Sequence, residues 1–140
     1  MKWIGILFAL MALVIGLVPQ FTNCSAQGRA IQLPDGRSMP MKCHWTANAT
    51  PVIAAPLLVA GILLFFSRGQ EARRGLSLLG SILGFAAILL PTWLIGVCAN
   101  DEMVCRLAME PTLIFSGTVS AAAGLFGLFL ARKNPAGNVD

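Results

Sequence analysis

Charge is what this 140-residue chain has least of: 11% of its residues are Asp, Glu, Lys or Arg, against 56% hydrophobic. A soluble protein of this size needs far more charge to cover its surface. Tyrosine is absent, and histidine occurs once, as His44. Where charge is missing says more than how much. Four apolar blocks, about Trp3–Val18, Pro51–Phe66, Leu76–Val97 and Pro111–Ala131, contain no ionisable residue. Proton relays, ion pathways and voltage sensors need such groups at membrane depth, which argues against a self-sufficient pump or proton-coupled carrier. The chain also lacks a glycine-rich phosphate loop, and the stretch from Ser67 to Arg74 is too short to hold a nucleotide. Energised transport therefore needs a partner.

What is present is a membrane pattern. A spanning helix takes about 17–25 apolar residues. The third and fourth blocks meet that directly, and the first two meet it with their flanks. The expected fold is an all-α membrane protein, a four-transmembrane-helix bundle in one domain over residues 1–140. Its helices are expected at about 3–21, 49–67, 75–97 and 110–131. The net charge of +4 is unevenly placed. Lys2, Arg68, Arg73, Arg74, Arg132 and Lys133 fall at the start, in the short middle loop (about 68–74) and in the tail. The other two loops, about 22–48 and 98–109, mix Arg29, Arg37, Lys42 and Arg106 with Asp35, Asp101, Glu102 and Glu110. The positive-inside rule then puts both termini and the middle loop in the cytoplasm, and the other two loops outside. Basic residues that set topology in this way give no reason to expect nucleic acid as a partner. The partners this composition admits are the lipid bilayer, a membrane protein and further copies of the chain.

The two halves read alike. An apolar helix ends at Val18-Pro19, with Phe21 and then Cys24 behind it; another ends at Leu90-Pro91, with Trp93 and then Cys98. Each half next shows Met-x-Cys, as Met41-Lys-Cys43 and Met103-Val-Cys105, then a proline and a second helix. The expectation is two similar helical hairpins in one orientation, a parallel repeat about the membrane normal. Met1-Lys2 before an apolar run also fits a secretory signal, but its counterpart in the second half cannot be one. Small residues spaced for close helix packing, Gly80 with Gly84, Gly117 with Ala121 and Ser120 with Gly124, predict a tight pair of helices three and four.

All four cysteines, Cys24, Cys43, Cys98 and Cys105, lie in or beside the outward loops. An even count on an oxidising side implies disulfides bracing those loops. Pairing within each loop is favoured by the repeat, although four cysteines allow three connectivities. Two chemical alternatives stay open. A thiol–disulfide oxidoreductase could use outward cysteines, and Lys42 and His44 could favour a Cys43 thiolate. The spacings, eighteen residues between Cys24 and Cys43 and six between Cys98 and Cys105, are not the Cys-x-x-Cys of such enzymes. A soft-metal site for Cu(I) could draw on Met39, Met41, Cys43, His44, Cys98, Met103 and Cys105. Trp45 and Trp93 fit interfacial anchors, and Thr46, Asn48 and Thr50 fit caps for the helix that follows.

Met41-Lys-Cys-His-Trp-Thr46, with Leu89-Leu-Pro-Thr92, Ile95-Gly-Val-Cys98 and Met103-Val-Cys105, resembles a family of small four-span bacterial and archaeal membrane proteins, domain of unknown function 4418. The resemblance covers nearly the whole chain. It implies a prokaryotic inner-membrane protein that accompanies permease and ATPase subunits of exporters, and it carries over no catalytic residue. Taken together, the expectation is a non-enzymatic accessory or assembly subunit of a larger membrane complex such as an ABC-type transporter, with no cofactor.

Overall fold

The structure, a computed structural model, describes residues 2–23, 28, 31–39, 41–97 and 103–133. Four long helices account for most of them. α1 spans Lys2–Thr22, α2 Lys42–Phe66, α3 Gln70–Leu89 and α4 Glu110–Lys133. A π-helical turn, Leu90–Leu94, extends α3, and another, Cys105–Met109, leads into α4. Each of the four segments is long and apolar enough to cross a bilayer, and the protein is a multi-pass membrane protein. A small antiparallel ribbon, β1 Ile31–Gln32 and β2 Ser38–Met39, rises between α1 and α2.

α1 packs along α2 and α3 along α4, and these two interfaces are equally extensive. The contacts of α2 with α3 and of α1 with α4 are smaller and also matched, which closes a four-membered ring. Chain direction follows from the crossing points. Gly5, near the start of α1, meets Gly61, near the end of α2, so the pair is antiparallel. A Cβ on Gly5 would stand 2.7 Å from the Gly61 carbonyl oxygen, and one on Gly61 2.8 Å from that of Gly5. Neither position tolerates a side chain. In the second hairpin a Cβ on Gly84 would stand 2.6 Å from the Ala121 nitrogen and 2.7 Å from the Gly117 oxygen. Backbones that touch in this way gain dispersion contacts without any hydrophobic drive between helices, which lipid does not provide.

The buried residues of α1 are Gly5, Phe8, Ala12, Ile15 and Pro19, spaced alternately by three and four. This is the a/d seam of coiled-coil-like packing. Their counterparts 72 positions on, Ser77, Gly80, Gly84, Ala87 and Pro91, are all buried as well. The crossing recurs too: Gly61 sits against Gly5 and Ala9, and Gly124 against Ser77 and Ser81. On the second helices, Cys43 and Ala47 correspond to Cys105 and Met109, 62 positions on. From Thr50, Leu57, Gly61 and Leu64 to Leu113, Ser120, Gly124 and Gly127 the offset is 63. α4 therefore carries one extra residue. In a regular helix it would turn Cys105 about 100° off the interior face. The π turn Cys105–Met109 absorbs it, as π turns do, and keeps both cysteines inside.

At the centre of the ring Phe8 of α1 meets Gly80 of α3. A Cβ built on Gly80 would collide with Cε2 and Cζ of the Phe8 ring. Gly80 thus serves the diagonal contact with α1, while Gly84 makes the close approach to α4 expected of that glycine pair.

α2 begins at Lys42, seven residues before the start expected from apolar count. Its first turns carry Lys42, His44, Thr46 and Asn48, whose polarity hides the helix. Similarly, α3 begins at Gln70, because the arginine-rich stretch expected as loop is helical, and residues 67–69 make the turn.

Candidate functional site at the cysteine end

Met41 is extended (φ −74°, ψ 164°) and leads directly into α2, so the Met-Lys-Cys-His-Trp-Thr segment forms helix rather than loop. Its inward residues then recur at helical spacing, Cys43, Thr46, Ala47 and Thr50. Cys43 is 0% exposed, Thr46 and Ala47 are buried, and Trp45 points outward. His44 is half-buried; its Nε2 lies 3.0 Å from Asn48 Nδ2, and its ring meets Trp45 edge-on at 5.9 Å. Its Nδ1 is buried without a hydrogen-bond partner.

The residues expected to cap α2 have other work. Thr46 Oγ1 donates to the Gly96 carbonyl at 2.8 Å and ties the first hairpin to the second. Gly96 has φ +82°, a conformation for which glycine is suited. Asn48 serves His44. Thr50 Oγ1 donates to the Ala47 carbonyl at 2.8 Å. That carbonyl has a specific need: Pro51, four residues on, has no N–H to give it. Gln20 of α1 reaches across with Nε2 at 2.7 Å and completes the oxygen. A polar side chain of α1 is thereby matched to a carbonyl of α2 that proline has released.

Cys105, 1% exposed, and Met109 enter the core from the π turn and join Cys43 in one apolar cluster with Phe8, Ala12, Ile15 and Leu113. Met41 and Met103 are half-buried against the same cluster. Four of the candidate soft ligands, Met41, Cys43, Met103 and Cys105, therefore border the same apolar cluster. His44 lies beside them on α2, and Arg106, at its corresponding position in the second half, is exposed. Met109 was missed by sequence reasoning; its place four residues after Cys105 was the available signal. Met39 stands apart, exposed on β2. Among the described residues no disulfide is formed, and no three His, Cys, Asp or Glu side chains gather as a metal set. Cys24 and Cys98 lie outside the described residues, so the expected bracing is not seen.

The ribbon above this end was also not anticipated. Leu33-Pro34-Asp35-Gly36 makes its turn: Gly36 N–H donates to the Leu33 carbonyl at 3.0 Å, and Leu33 N–H to that of Arg37 at 2.9 Å. Gly36 has φ +77°. Pro-Asp-Gly is itself a turn signal, and it was there to be read.

The model of a family described as a domain of unknown function, DUF4418, matches residues 3–130. The chain belongs to the DUF4418 family. The match takes in all four helices of this DUF4418 protein, the ribbon and both Met-x-Cys segments. Among curated proteins and among solved structures nothing matches.

The Pro51–Gln20 relation can be tested by a double-mutant cycle. Gln20→Leu in the otherwise native protein is expected to cost about 0.6–1.7 kcal/mol, the scale of hydrogen bonds within membranes. In a Pro51→Ala background, where residue 51 supplies the N–H, the same change should cost nearly nothing. Thermal unfolding in detergent of the four proteins reads this coupling directly.

Proposed function

We propose that this DUF4418 chain is a non-enzymatic accessory or assembly subunit of a larger prokaryotic membrane complex, such as an ABC-type transporter. It sits in the plasma (inner) membrane with both termini cytoplasmic and the cysteine end outside. The orientation is supported by the grouping of Lys2, Arg68, Arg73, Arg74, Arg132 and Lys133 at one end of the helices. Trp45 and Trp93, the latter 89% exposed, suit the opposite interface.

The observation that carries the partner reading is the ribbon Ile31–Met39. A two-stranded ribbon is marginal alone in water. This one pairs two residues with two and exposes Ile31 (53%) and Met39 (57%). Its outer edges offer backbone groups for strand addition. Photo-crosslinking residues placed at Ile31 and at Met39 in native membranes should each capture one discrete transporter permease. A probe at Leu125, on the lipid-facing side of α4, should not. Adducts to lipid or to the chain itself alone would sink the reading.

We also infer that Cys24 pairs with Cys43 and Cys98 with Cys105, because the equivalent placement of Cys43 and Cys105 lets each hairpin close its own loop. Non-reducing peptide mapping should recover those two linked peptides. Cross-linked halves would contradict the pairing. A mixed reduced and oxidised population would favour the thiol–disulfide oxidoreductase. Copper that co-purifies under reducing conditions and is lost in a Met41→Leu, His44→Ala variant would favour the soft-metal reading.

A further inference from the structure

At the basic end two concavities meet. One is an apolar groove of about 140 Å³ between α1 and α2, lined by Gly5, Ala9, Gly61, Ile62, Phe65 and Phe66, with Ile6 at its side. It exists because Gly5 and Gly61 bring the backbones together without side chains, while Ile62 and the phenylalanines stand up beside them. In the second hairpin the matching crossing is occupied by Ser77 and by the Ser81 hydroxyl, which lies where a Gly124 Cβ would be.

The other is a cradle of about 360 Å³ lined by Lys2, Phe65, Phe66, Ser67, Arg68 and Arg73. Phe65 and Phe66 line both, so the groove and the cradle are neighbours on the first hairpin. Two of the cations have contacts that place them. Lys2 Nζ stands 6.0 Å from the Phe65 ring centroid, within cation–π range. Arg73 Nε donates to the Ser67 carbonyl at 3.0 Å, which leaves its remaining N–H groups for a ligand. No carboxylate lines the cradle, and Glu71 leans instead toward Arg74 at 3.7 Å.

We propose that this pair of concavities is a binding site for an anionic glycerophospholipid. An acyl chain lies in the Gly5–Gly61 groove, and the headgroup phosphate is held by Lys2, Arg68 and Arg73. Charge complementarity selects the headgroup, since basic pockets among membrane helices take phosphate headgroups. The groove selects a lipid over a soluble phosphate, which has nothing to place there. Such a lipid would cover an otherwise open seam of the first hairpin.

The test is native mass spectrometry of the delipidated full-length protein, titrated with phosphatidylglycerol and with phosphatidylcholine of the same acyl chains. The protein should bind one phosphatidylglycerol in preference to phosphatidylcholine. Arg68→Gln with Arg73→Gln should weaken phosphatidylglycerol roughly 30-fold, at about a factor of five per cation, and leave phosphatidylcholine unchanged. Ile62→Trp, which fills the groove, should weaken both lipids. Arg132→Gln with Lys133→Gln, equal in charge but outside the cradle, should change neither. Circular dichroism must show unchanged helix content in each variant. The proposal is overturned if the two lipids bind equally, if the Arg132 and Lys133 pair matters as much as the Arg68 and Arg73 pair, if sn-glycerol 3-phosphate displaces the lipid, or if a second copy of the chain occupies the groove.

Discussion

A phenyl ring that stands where the facing helix has no side chain fills the space between the two hairpins on the axis of the bundle. Phe8 and Gly80 are corresponding residues of the two halves, and they meet across the middle of the ring. Any bundle built from two like hairpins must solve the same problem on its axis, where a residue faces its own counterpart. Two phenylalanines cannot share that space, and two glycines would leave a void. One of each fills it. In a bilayer, where lipid is as apolar as the helices, close packing of this kind is the main source of association. The ring fills the diagonal, and the glycine crossings at Gly5–Gly61 and Gly84–Gly117 set the spacing within each hairpin.

The departures from regular helix follow from keeping that arrangement in register. The extra residue in α4 is taken up by the π turn, so that Cys105 still faces inward as Cys43 does. Pro51 removes one backbone donor, and Gln20 replaces it from the neighbouring helix. Thr46 spends its hydroxyl on Gly96 and fastens the first hairpin to the second at the cysteine end. At the basic end, Gln70 and Arg74 both donate to the Ala131 carbonyl, at 2.8 and 3.0 Å, and satisfy the last turn of α4. The bundle is thus fastened at both ends by side chains directed to carbonyls that the helices themselves leave open.

How much of this was legible depended on the kind of signal. Blocks without charge mark membrane helices whatever their packing, so four helices were readable from composition. The order of proline, aromatic and cysteine in each half was readable as a repeat. The start of α2 was not, because a helix that begins at the water interface carries the polar residues of a loop. The spacing of Gly80 and Gly84 points to a ridge against α4, yet the partner of Gly80 is Phe8 on α1, and no local pattern tells which helix fills the gap beside a glycine. The π turn needed the burial of α2 and α4 side by side. The turn Leu33-Pro34-Asp35-Gly36 was legible and passed over, since two-residue strands leave no alternation to notice. Convergence of the sulfur side chains was foreseeable only as two similar segments, not as one shared cluster.

The measurement that tests this account most directly is an exchange across the axis. Phe8→Gly removes a buried ring, a loss of about 3–5 kcal/mol by the usual cost of such truncations, and Gly80→Phe places two rings in one space. Thermal unfolding of both single variants and of Phe8→Gly with Gly80→Phe completes the cycle. If the halves are equivalent about this contact, the exchanged protein recovers most of the stability that each single variant loses. If the exchanged protein loses the sum of the two, Phe8 and Gly80 are not counterparts, and the symmetric reading of the bundle fails.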